Sequence, residues 1–534
     1  VGHRAGRGSD STPYASGDEN TAFGNDAMRG LTTGYQNVAI GHRAGENITT
    51  GYRNVYIGGY RTGYYNQTGD NNIGIGAGAI NHDSNNYVNE LIGIGGGAGA
   101  LTAGNVGDTD GNVYVGYNAG YSNVSGSGLT FLGFKAGQNA TGSYNTFLGY
   151  RAGQGTGGAA ATSGGSNTAI GYEALKSFTT GERVVAVGYN AGASLTTGGQ
   201  SVFIGHNAGD AIIDGYRNIA IGDNALSEDA GDDNIAIGLF ALKDLSGASV
   251  NIGIGTRAGE TLTTGTRNIA IGWRTMWDLN AGSNSADSED NIALGYAAMN
   301  GTWADAQSNK NIAIGSYAMD GALNGATNNV AIGYQVMSAA TTSDHMVVIG
   351  SQAGENVSTG TSSVIIGKDA GRAFYTTTNS VLVGYSAGEY IGQGNTGASR
   401  VVAVGYEAGK YATGSYNTFI GYTSGRGGTT GVPYSSGIYN TAVGDETLYS
   451  HTTGTRNTVV GRAAGYSISS GNRNTFLGIS AGYSTTTGNN NVFVGATAGQ
   501  NAVSGTENVF IGYQSGLYQK SGGNNVAIGT GGLY

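Results

Sequence analysis

Residues 37–45 of this chain read Asn-Val-Ala-Ile-Gly-His-Arg-Ala-Gly, and this stretch decides the fold because its pattern recurs along the sequence. Val38 and Ile40 alternate with Asn37 and Ala39, which is the period-two pattern of a short β-strand. The run is too short and too rich in β-branched residues for a helix, and Gly41 ends it. The stretch therefore predicts one short strand followed by a turn.

The glycine at the end of this strand recurs every seventeen residues over much of the chain. The interval is seen at Gly24, Gly41 and Gly58, at Gly171, Gly188, Gly205 and Gly222, and at Gly444, Gly461, Gly478, Gly495, Gly512 and Gly529. About thirty copies fill the sequence, each of them one supersecondary unit of a repeat architecture. We therefore predict an all-β fold, a parallel β-solenoid of about thirty coils with roughly seventeen residues each.

The rest of each unit has a recurring order of residue types. After the glycine come two variable residues, a small residue that is usually Ala, and then Gly, Leu or Met; this segment is predicted to form a return strand. A polar turn follows, often Thr-Thr-Gly, as at residues 32–34 and 49–51. Five longer intervals are expected to enlarge the turn and preserve the coil. They end at Gly24, Gly171, Gly295, Gly405 and Gly444.

Two columns of residues are predicted to be structural. Glycine is favoured where the backbone needs a positive φ or where adjacent coils approach closely. Asparagine stands where the turn meets the strand, and its side chains in successive coils can form a ladder of hydrogen bonds. Serine replaces it in some units, as at Ser201, Ser363 and Ser380. The structural repeat positions are Asn37, Gly41, Asn54, Gly58, Asn218, Gly222, Asn474, Gly478, Asn508 and Gly512.

The residue in the middle of each strand is Ala, Phe, Tyr, Leu, Val, Ile or Gly, so both faces of the strand are largely apolar. A solitary thin solenoid should present a polar face to water. We therefore expect one face to line the coil and the other to pack on a neighbouring chain. Intertwined or side-by-side chains, in a homotrimer about one axis, would satisfy this pattern.

Composition restricts the class of protein. The 534 residues include 101 Gly, 2 Pro and only 11% charged residues, without a Gly-X-Y period, which argues against collagen and for a solenoid or fibrous protein. The formal net charge is −10 and the basic residues are scattered, so nucleic-acid binding is disfavoured. The chain has no cysteine, which fits an extracellular protein, and no apolar run long enough to insert into a membrane.

The two ends of the sequence match parts of the repeat. Residues 1–6 correspond to residues 40–45, and residues 529–534 again fall inside a unit. We therefore expect residues 1–534 to be a single continuous fibre segment, without a separate globular domain, that starts and ends in mid-repeat of a longer polypeptide.

The unit Asn-Val-Ala-Ile-Gly-x-x-Ala, at residues 37–44, 218–225 with Ile for Val, and 311–318 with Ile for Val, resembles the head repeat of trimeric autotransporter adhesins. The resemblance covers essentially the whole chain and implies a left-handed parallel β-roll with three chains about one axis. Similar repeats, often with a Thr-Gly-x-x-Asn-Thr turn, occur in tail fibres of bacteriophages. The repeat of this chain is longer than that of the adhesin heads, which implies a longer turn in each coil.

Few residues form a pattern typical of metal binding. Asp108, Asp110 and Asn112 resemble part of a calcium loop, because closely spaced oxygen donors around a glycine suit a hard cation. The later bidentate glutamate is missing, so a solvated acidic turn is favoured, and the acidic stretches 228–233 and 287–290 are interpreted in the same way. No metal or other cofactor is expected.

The position directly after the repeat glycine holds His3, His42 and His206 in three units. On a three-fold axis one histidine would become three and could bind a metal. Tyrosine occupies this position more often, so a packing or surface role is favoured. Such a tyrosine column could bind sugars or pack between coils or chains.

A catalytic function is not expected. The run Gly-Ile-Gly-Ala-Gly at residues 74–78 imitates a nucleotide-binding loop, but such a loop must be followed by a helix, and no helical pattern follows it. No Ser-His-Asp arrangement stands out.

The sequence is therefore interpreted as an extracellular structural fibre. The first hypothesis is a bacteriophage tail or virion fibre, located on the virion surface and involved in host attachment, whose partners are copies of itself and a host surface glycan or protein receptor. The alternatives are a trimeric adhesin on a bacterial cell surface and a self-assembling extracellular filament.

Overall fold

The computed structural model describes residues 1–8, 17–81, 88–100, 111–156, 162–278, 287–304, 306–391, 398–428 and 435–533. These residues form short β-strands and turns, with no α-helix among them. The chain divides into two compact units, Val1–Thr264 (unit 1) and Gly265–Tyr534 (unit 2). The two units have the same kind of architecture.

Unit 1 holds fourteen strands within its described residues. Each strand has three residues and pairs in parallel with the next one along the chain. The strands are β1 (Thr21–Phe23), β2 (Val38–Ile40), β3 (Val55–Ile57), β4 (Ile73–Ile75), β5 (Ile92–Ile94), β6 (Val113–Val115), β7 (Thr130–Leu132), β8 (Thr146–Leu148), β9 (Thr168–Ile170), β10 (Val185–Val187), β11 (Val202–Ile204), β12 (Ile219–Ile221), β13 (Ile235–Ile237) and β14 (Ile252–Ile254).

Unit 2 holds fifteen strands within its described residues, and they pair in parallel in the same sequential way. They are β15 (Ile269–Ile271), β16 (Ile292–Leu294), β17 (Ile312–Ile314), β18 (Val330–Ile332), β19 (Val347–Ile349), β20 (Val364–Ile366), β21 (Val381–Val383), β22 (Val402–Val404), β23 (Thr418–Ile420), β24 (Thr441–Val443), β25 (Thr458–Val460), β26 (Thr475–Leu477), β27 (Val492–Val494), β28 (Val509–Ile511) and β29 (Val526–Ile528).

The register of the strands shows that one coil takes about seventeen residues. Val38 pairs with Val55 in unit 1, and Val492 pairs with Val509 in unit 2. The longer interval before β16 keeps this register as well, because Ile269 pairs directly with Ile292. The prediction of an all-β parallel β-solenoid is confirmed, and so is the preserved coil at this longer interval.

The prediction of a return strand is wrong. In the segment after β2, Arg43 and Gly45 have φ angles of 58° and 54°, so the backbone alternates into the left-handed region instead of staying extended. Its N–H groups still bind adjacent coils: the N–H of Arg43 donates to the carbonyl of Asn25 at 2.9 Å, and that of Gly45 to Thr62 at 2.9 Å. Inter-coil hydrogen bonding is thereby kept without a second strand.

Two positions contribute side chains to the interior of each coil, and a large residue at one of them is often accompanied by a small residue at the other. The first, the strand position, is the middle residue of the strand, and the second, the turn position, lies six residues later. A phenylalanine at the strand position is accompanied by glycine at the turn position, as in Phe131/Gly137, Phe147/Gly153, Phe203/Gly209, Phe419/Gly425, Phe476/Gly482, Phe493/Gly499 and Phe510/Gly516. An alanine is often accompanied by Leu or Met, as in Ala169/Leu175, Ala220/Leu226, Ala236/Leu242, Ala293/Met299, Ala313/Met319, Ala331/Met337 and Ala442/Leu448.

Candidate functional site

The asparagine column forms a ladder of hydrogen bonds in unit 1. The Nδ2 of Asn54 donates to the Oδ1 of Asn37 at 3.1 Å and to the carbonyl of Gly69 at 2.8 Å. The backbone N–H of Asn54 donates to the same Oδ1 at 3.0 Å. Asn218 is also buried: its Nδ2 donates to the carbonyl of Gly231 at 2.8 Å, and its Oδ1 accepts a bond from the N–H of Asn234.

The same ladder runs through unit 2. Asn491 donates from its Nδ2 to the Oδ1 of Asn474 at 3.0 Å, and Asn508 donates to Asn491 in the same way at 3.1 Å. Serine takes part where it replaces asparagine, because the Oγ of Ser363 accepts the N–H of Ser380 at 3.1 Å. A buried carboxamide that uses both its donor and its acceptor stabilises the turn-to-strand junction. This geometry makes the column a structural element.

The repeat glycines lie where the backbones of adjacent coils approach each other closely. Gly41 has a φ of 129°, and a Cβ on it would lie 2.0 Å from the carbonyl oxygen of Gly58. Gly478 has a φ of 139°, and its Cβ would lie 2.5 Å from the oxygen of Gly495. Both the conformation and the contact with backbone atoms exclude a side chain. Gly58, Gly222 and Gly512 make the corresponding approach to the next coil.

The outward face of the strands is an apolar stripe on each unit. In the described strands the first residue is Val, Ile or Thr, and the third is Ile, Leu, Val or Phe. Ile204 in unit 1 and Ile511 in unit 2 are 38% and 37% exposed, whereas the middle residues, Phe203 and Phe510, are buried. We call this face the outward strand stripe. It carries no charged residue in any described strand.

Exposed aromatic rings form stacked columns beside the repeat glycines. In unit 1 the rings of Tyr150, Tyr172 and Tyr189 lie 5.0 Å apart and nearly parallel, and His206 stacks on Tyr189 at 5.2 Å. The ring faces are covered by neighbouring rings, so the edges and hydroxyl groups are what the column offers to solvent. The Nδ1 of His206 lies 3.2 Å from Asp223, and His42 is exposed.

The segment that resembles part of a calcium loop, for which a solvated acidic turn is favoured, is described only in part. Asp108 and Asp110 lie outside the described residues. Asn112 is buried in the asparagine column, where its Nδ2 donates to the carbonyl of Gly126 and its Oδ1 accepts the N–H of Leu129 at 2.7 Å. No group of three or more His, Asp or Glu side chains suited to a metal ion occurs among the described residues.

The acidic stretches bind arginines of the neighbouring coil. The Nε of Arg217 lies 2.6 Å from Asp233, and its Nη2 lies 3.3 Å from Asp232. The guanidinium of Arg217 thereby holds the pKa of the Asp233 carboxyl below its usual range. Arg267 is paired in the same way with Asp290, at 2.6 Å.

A polar groove on unit 2 contains two arginines without such a carboxylate. Its volume is about 490 Å³, and three successive coils line it with Thr455, Arg456, Asn472, Arg473, Asn489 and Asn490. We call it the arginine groove. Among the described residues no carboxylate lies within ion-pair distance of Arg456 or Arg473. Arg456 instead lies over the ring of Tyr439, with its Cζ 5.7 Å from the ring centroid.

A cluster of charged residues elsewhere in unit 2 is compensated between coils. Lys410 binds Glu407 at 2.8 Å and Glu389 at 3.3 Å, and Arg426 binds Glu407 at 2.7 Å. Burial acts to raise the pKa of Glu407, but the hydrogen bonds from the two cations outweigh it, so the pKa is lowered. In contrast to this cluster, Arg456 and Arg473 have no carboxylate within ion-pair distance among the described residues, so the arginine groove carries uncompensated positive charge.

Comparisons with known proteins do not assign this geometry to a family. No protein-family model matches the chain, and no curated protein sequence matches it significantly. Among the described residues no helix has the length and apolar character needed to span a membrane.

Sequence reasoning found the two structural columns and missed the arginine groove. Arg456 and Arg473 precede the asparagine of their units, a position that also holds Gln36, Tyr144 and Glu507. Variation at this position hides the pair. The usable signal was that two consecutive units have arginine at this position, and that the next unit has Asn490 there, whereas Asp233 follows Arg217 at the corresponding place.

Proposed function

We propose that this chain is a structural fibre of a bacteriophage tail or virion that takes part in host attachment. The observation that carries the proposal is the outward strand stripe, which repeats in every described strand of a β-solenoid and has no charged residue. A long apolar stripe that leaves side chains such as Ile204 partly exposed favours contact with another chain. The resemblance of the turn and strand motif to phage fibres and adhesin heads supports an extracellular location.

We infer that the partner on the outward strand stripe is a second and a third copy of the chain. Val, Ile, Thr and Leu recur in a regular register, so identical copies can present the same side chains to one another, as in symmetric homo-oligomers. We also propose that the chain is not an enzyme. The carboxylates of Asp233 and Glu407 are engaged with the arginines of neighbouring coils, Arg217 and Arg426.

Sedimentation equilibrium tests the association. We expect the purified chain to sediment at three times its mass of 53.8 kDa. Ile204→Lys combined with Ile511→Lys places one charge on the stripe of each unit and should shift the mass towards the monomer. The matched control is Ile213→Lys with Val503→Lys, at residues 46% and 39% exposed on turns outside the stripe. A monomeric parent chain, or equal effects of both pairs, would contradict the proposal.

Antibody labelling tests whether the fibre belongs to a phage particle, a bacterial cell surface or a free filament. Antibodies against the purified protein should label the tails or capsids of phage particles from its source. Labelling of the bacterial cell surface would instead support the adhesin, and labelling of detached filaments would support the extracellular filament.

A further inference from the structure

The arginine groove has the features of a ligand site that the fold itself does not need. Arg456 and Arg473 are exposed, on adjacent coils, at equivalent positions of the repeat. Adjacent coils lie about 4.8 Å apart, so the two like charges repel each other unless an anion lies between them. At the same repeat position Arg217 is already neutralised by Asp232 and Asp233.

The aromatic residues beside the groove orient an arginine and leave no free ring face. Tyr416 and Tyr439 stack on each other at 4.8 Å. The guanidinium of Arg400 lies over Tyr416, at 5.2 Å, and that of Arg456 lies over Tyr439. Cation–π contact restrains Arg456 before any ligand arrives. Because both faces of this pair are covered, the groove lacks the open stacking platform that nucleic-acid bases need.

The remaining lining of the groove consists of hydroxyl and carboxamide groups. The Oδ1 of Asn472 accepts the N–H and Oγ1–H of Thr455, each at 2.8 Å, and Asn489 accepts the N–H of Asn472 at 2.8 Å. These bonds fix the side chains of adjacent coils in line. The Nδ2 of Asn472 is also engaged, because it donates to the carbonyl of Ser470 at 2.8 Å and to Asn489 at 3.1 Å. The carboxamide of Asn490 and the lone pairs of the Thr455 Oγ1 are therefore the lining groups that suit the hydroxyl groups of a ligand.

From this combination we propose that the arginine groove binds an acidic oligosaccharide. The carboxylates of the sugar lie against Arg456 and Arg473, and its hydroxyl groups bind the carboxamide of Asn490 and donate to the Oγ1 of Thr455. The proposal deepens the attachment role, on which it rests for its biological meaning. Its test is independent of chain association, because the groove residues lie outside the outward strand stripe.

Isothermal titration calorimetry on the full chain tests the proposal with a matched pair of ligands. The probe is tetragalacturonate, and the control is its fully methyl-esterified form, which keeps the sugar ring and removes the charge. We expect the acid to bind more than about tenfold more tightly than the ester, since charge-assisted hydrogen bonds are lost with the carboxylates. Binding should also weaken as the salt concentration rises.

Variants locate the binding in the groove. Arg456→Gln with Arg473→Gln should weaken tetragalacturonate binding by more than about tenfold. Arg217→Gln is the control, because it removes an arginine from the same repeat position where carboxylates already pair with it. Circular dichroism and sedimentation of the same samples would show that fold and association are unchanged.

Several results would overturn the proposal. Equal affinity for the acid and the ester would remove the role of the arginines. Equal weakening by Arg217→Gln would indicate non-specific attraction of polyanions, as would equally tight binding of a single-stranded oligonucleotide. Competition by millimolar inorganic phosphate as strong as that by the sugar would reduce the groove to a simple anion site. A trimer that fails to bind would contradict this inference alone, whereas a monomer that binds would contradict only the proposed association.

Discussion

Two coils of unit 2 fill the same interior with opposite choices of residue. The coil that starts at Asn440 has Ala442 at the strand position and Leu448 at the turn position, and both are buried. The coil that starts at Asn474 has Phe476 and Gly482 at these positions, and a Cβ on Gly482 would lie 2.3 Å from the Phe476 ring. In these two coils the strand position and the turn position therefore share one volume.

The exchange is possible because the backbone is nearly the same in both coils. Leu448 has a φ of 50° and Gly482 has a φ of 59°, so the turn position is left-handed whether or not it is glycine. A left-handed leucine is disfavoured on its own. Burial of its side chain, which contributes roughly 1.5–3 kcal/mol, offsets that cost where the strand position is only alanine.

The largest expected effect is the loss of the aromatic ring. Phe476→Ala should lower the free energy of unfolding of the surrounding coils by about 3–5 kcal/mol, because it leaves a cavity that the rigid coils cannot close. Adding Gly482→Leu should restore a large part of this loss, since the double variant reproduces the Ala442/Leu448 arrangement. Urea denaturation and hydrogen exchange of the amides in residues 457–508 would measure both changes.

The matched control is Gly482→Leu alone, which should overpack the coil and destabilise it by about 1–3 kcal/mol. If the double variant were as unstable as the sum of the single variants, the two positions would be independent and the shared volume would be refuted.

A third interior position, nine residues after the strand position, makes the stability of the first coil depend on pH. His451 in the first coil is fully buried, at the place that Thr485 occupies in the second. Burial lowers the pKa of His451 to about 4. An unfolded histidine titrates near 6.5, so the unfolded state binds more protons between these values and stability falls as the pH drops from about 6.5 to 4. The expected loss is about 3 kcal/mol.

His451→Phe should remove this dependence, since phenylalanine already fills the equivalent place at Phe374. The free energy of unfolding of the variant and of the parent chain is measured at pH 8 and again at pH 4. The difference between variant and parent is then compared at the two pH values, because the contributions of the other titrating groups cancel in it. A difference that does not change with pH would show that the ring of His451 is protonated inside the coil.

Both coils depend on the same asparagine ladder, whose loss should be smaller. Asn474→Ala removes the acceptor of the Asn491 amide groups and the donor to the carbonyl of Gly488, leaving buried polar groups unpaired. The expected cost is about 2 kcal/mol. Asn474→Ser should cost less, because serine keeps one acceptor, as at Ser363. Equal costs for Ala and Ser, measured by urea denaturation, would mean that the acceptor kept by serine contributes nothing, and a negligible cost for both would mean that the carboxamide ladder contributes little.

The sequence predicted those parts of the fold that repeat and missed those that vary. The strand, Gly478 and Asn474 follow from a fixed residue type at a fixed interval, and each has one physical reason that a single unit displays. The segment after the glycine was misjudged because left-handed backbone is adopted there by residues as different as Arg43 and Leu448. The groove was missed because uncompensated charge is a property of neighbouring coils and is not visible in one unit.

The smallest expected effect concerns a tyrosine column that joins the two coils. Tyr466 stacks between Tyr449 of the first coil and Tyr483 of the second, with both ring centroids at 4.9 Å. Tyr466→Ala should cost about 1 kcal/mol, because stacked pairs contribute roughly 0.5–1.5 kcal/mol beyond the area that they bury. Tyr466→Phe keeps the ring and should have nearly the stability of the parent chain in urea denaturation. If phenylalanine lowered the free energy of unfolding as much as alanine does, the contribution would belong to the hydroxyl group. The column would then be stabilised by polar contacts, as the asparagine ladder is, and not by ring packing as in the Phe476 coil.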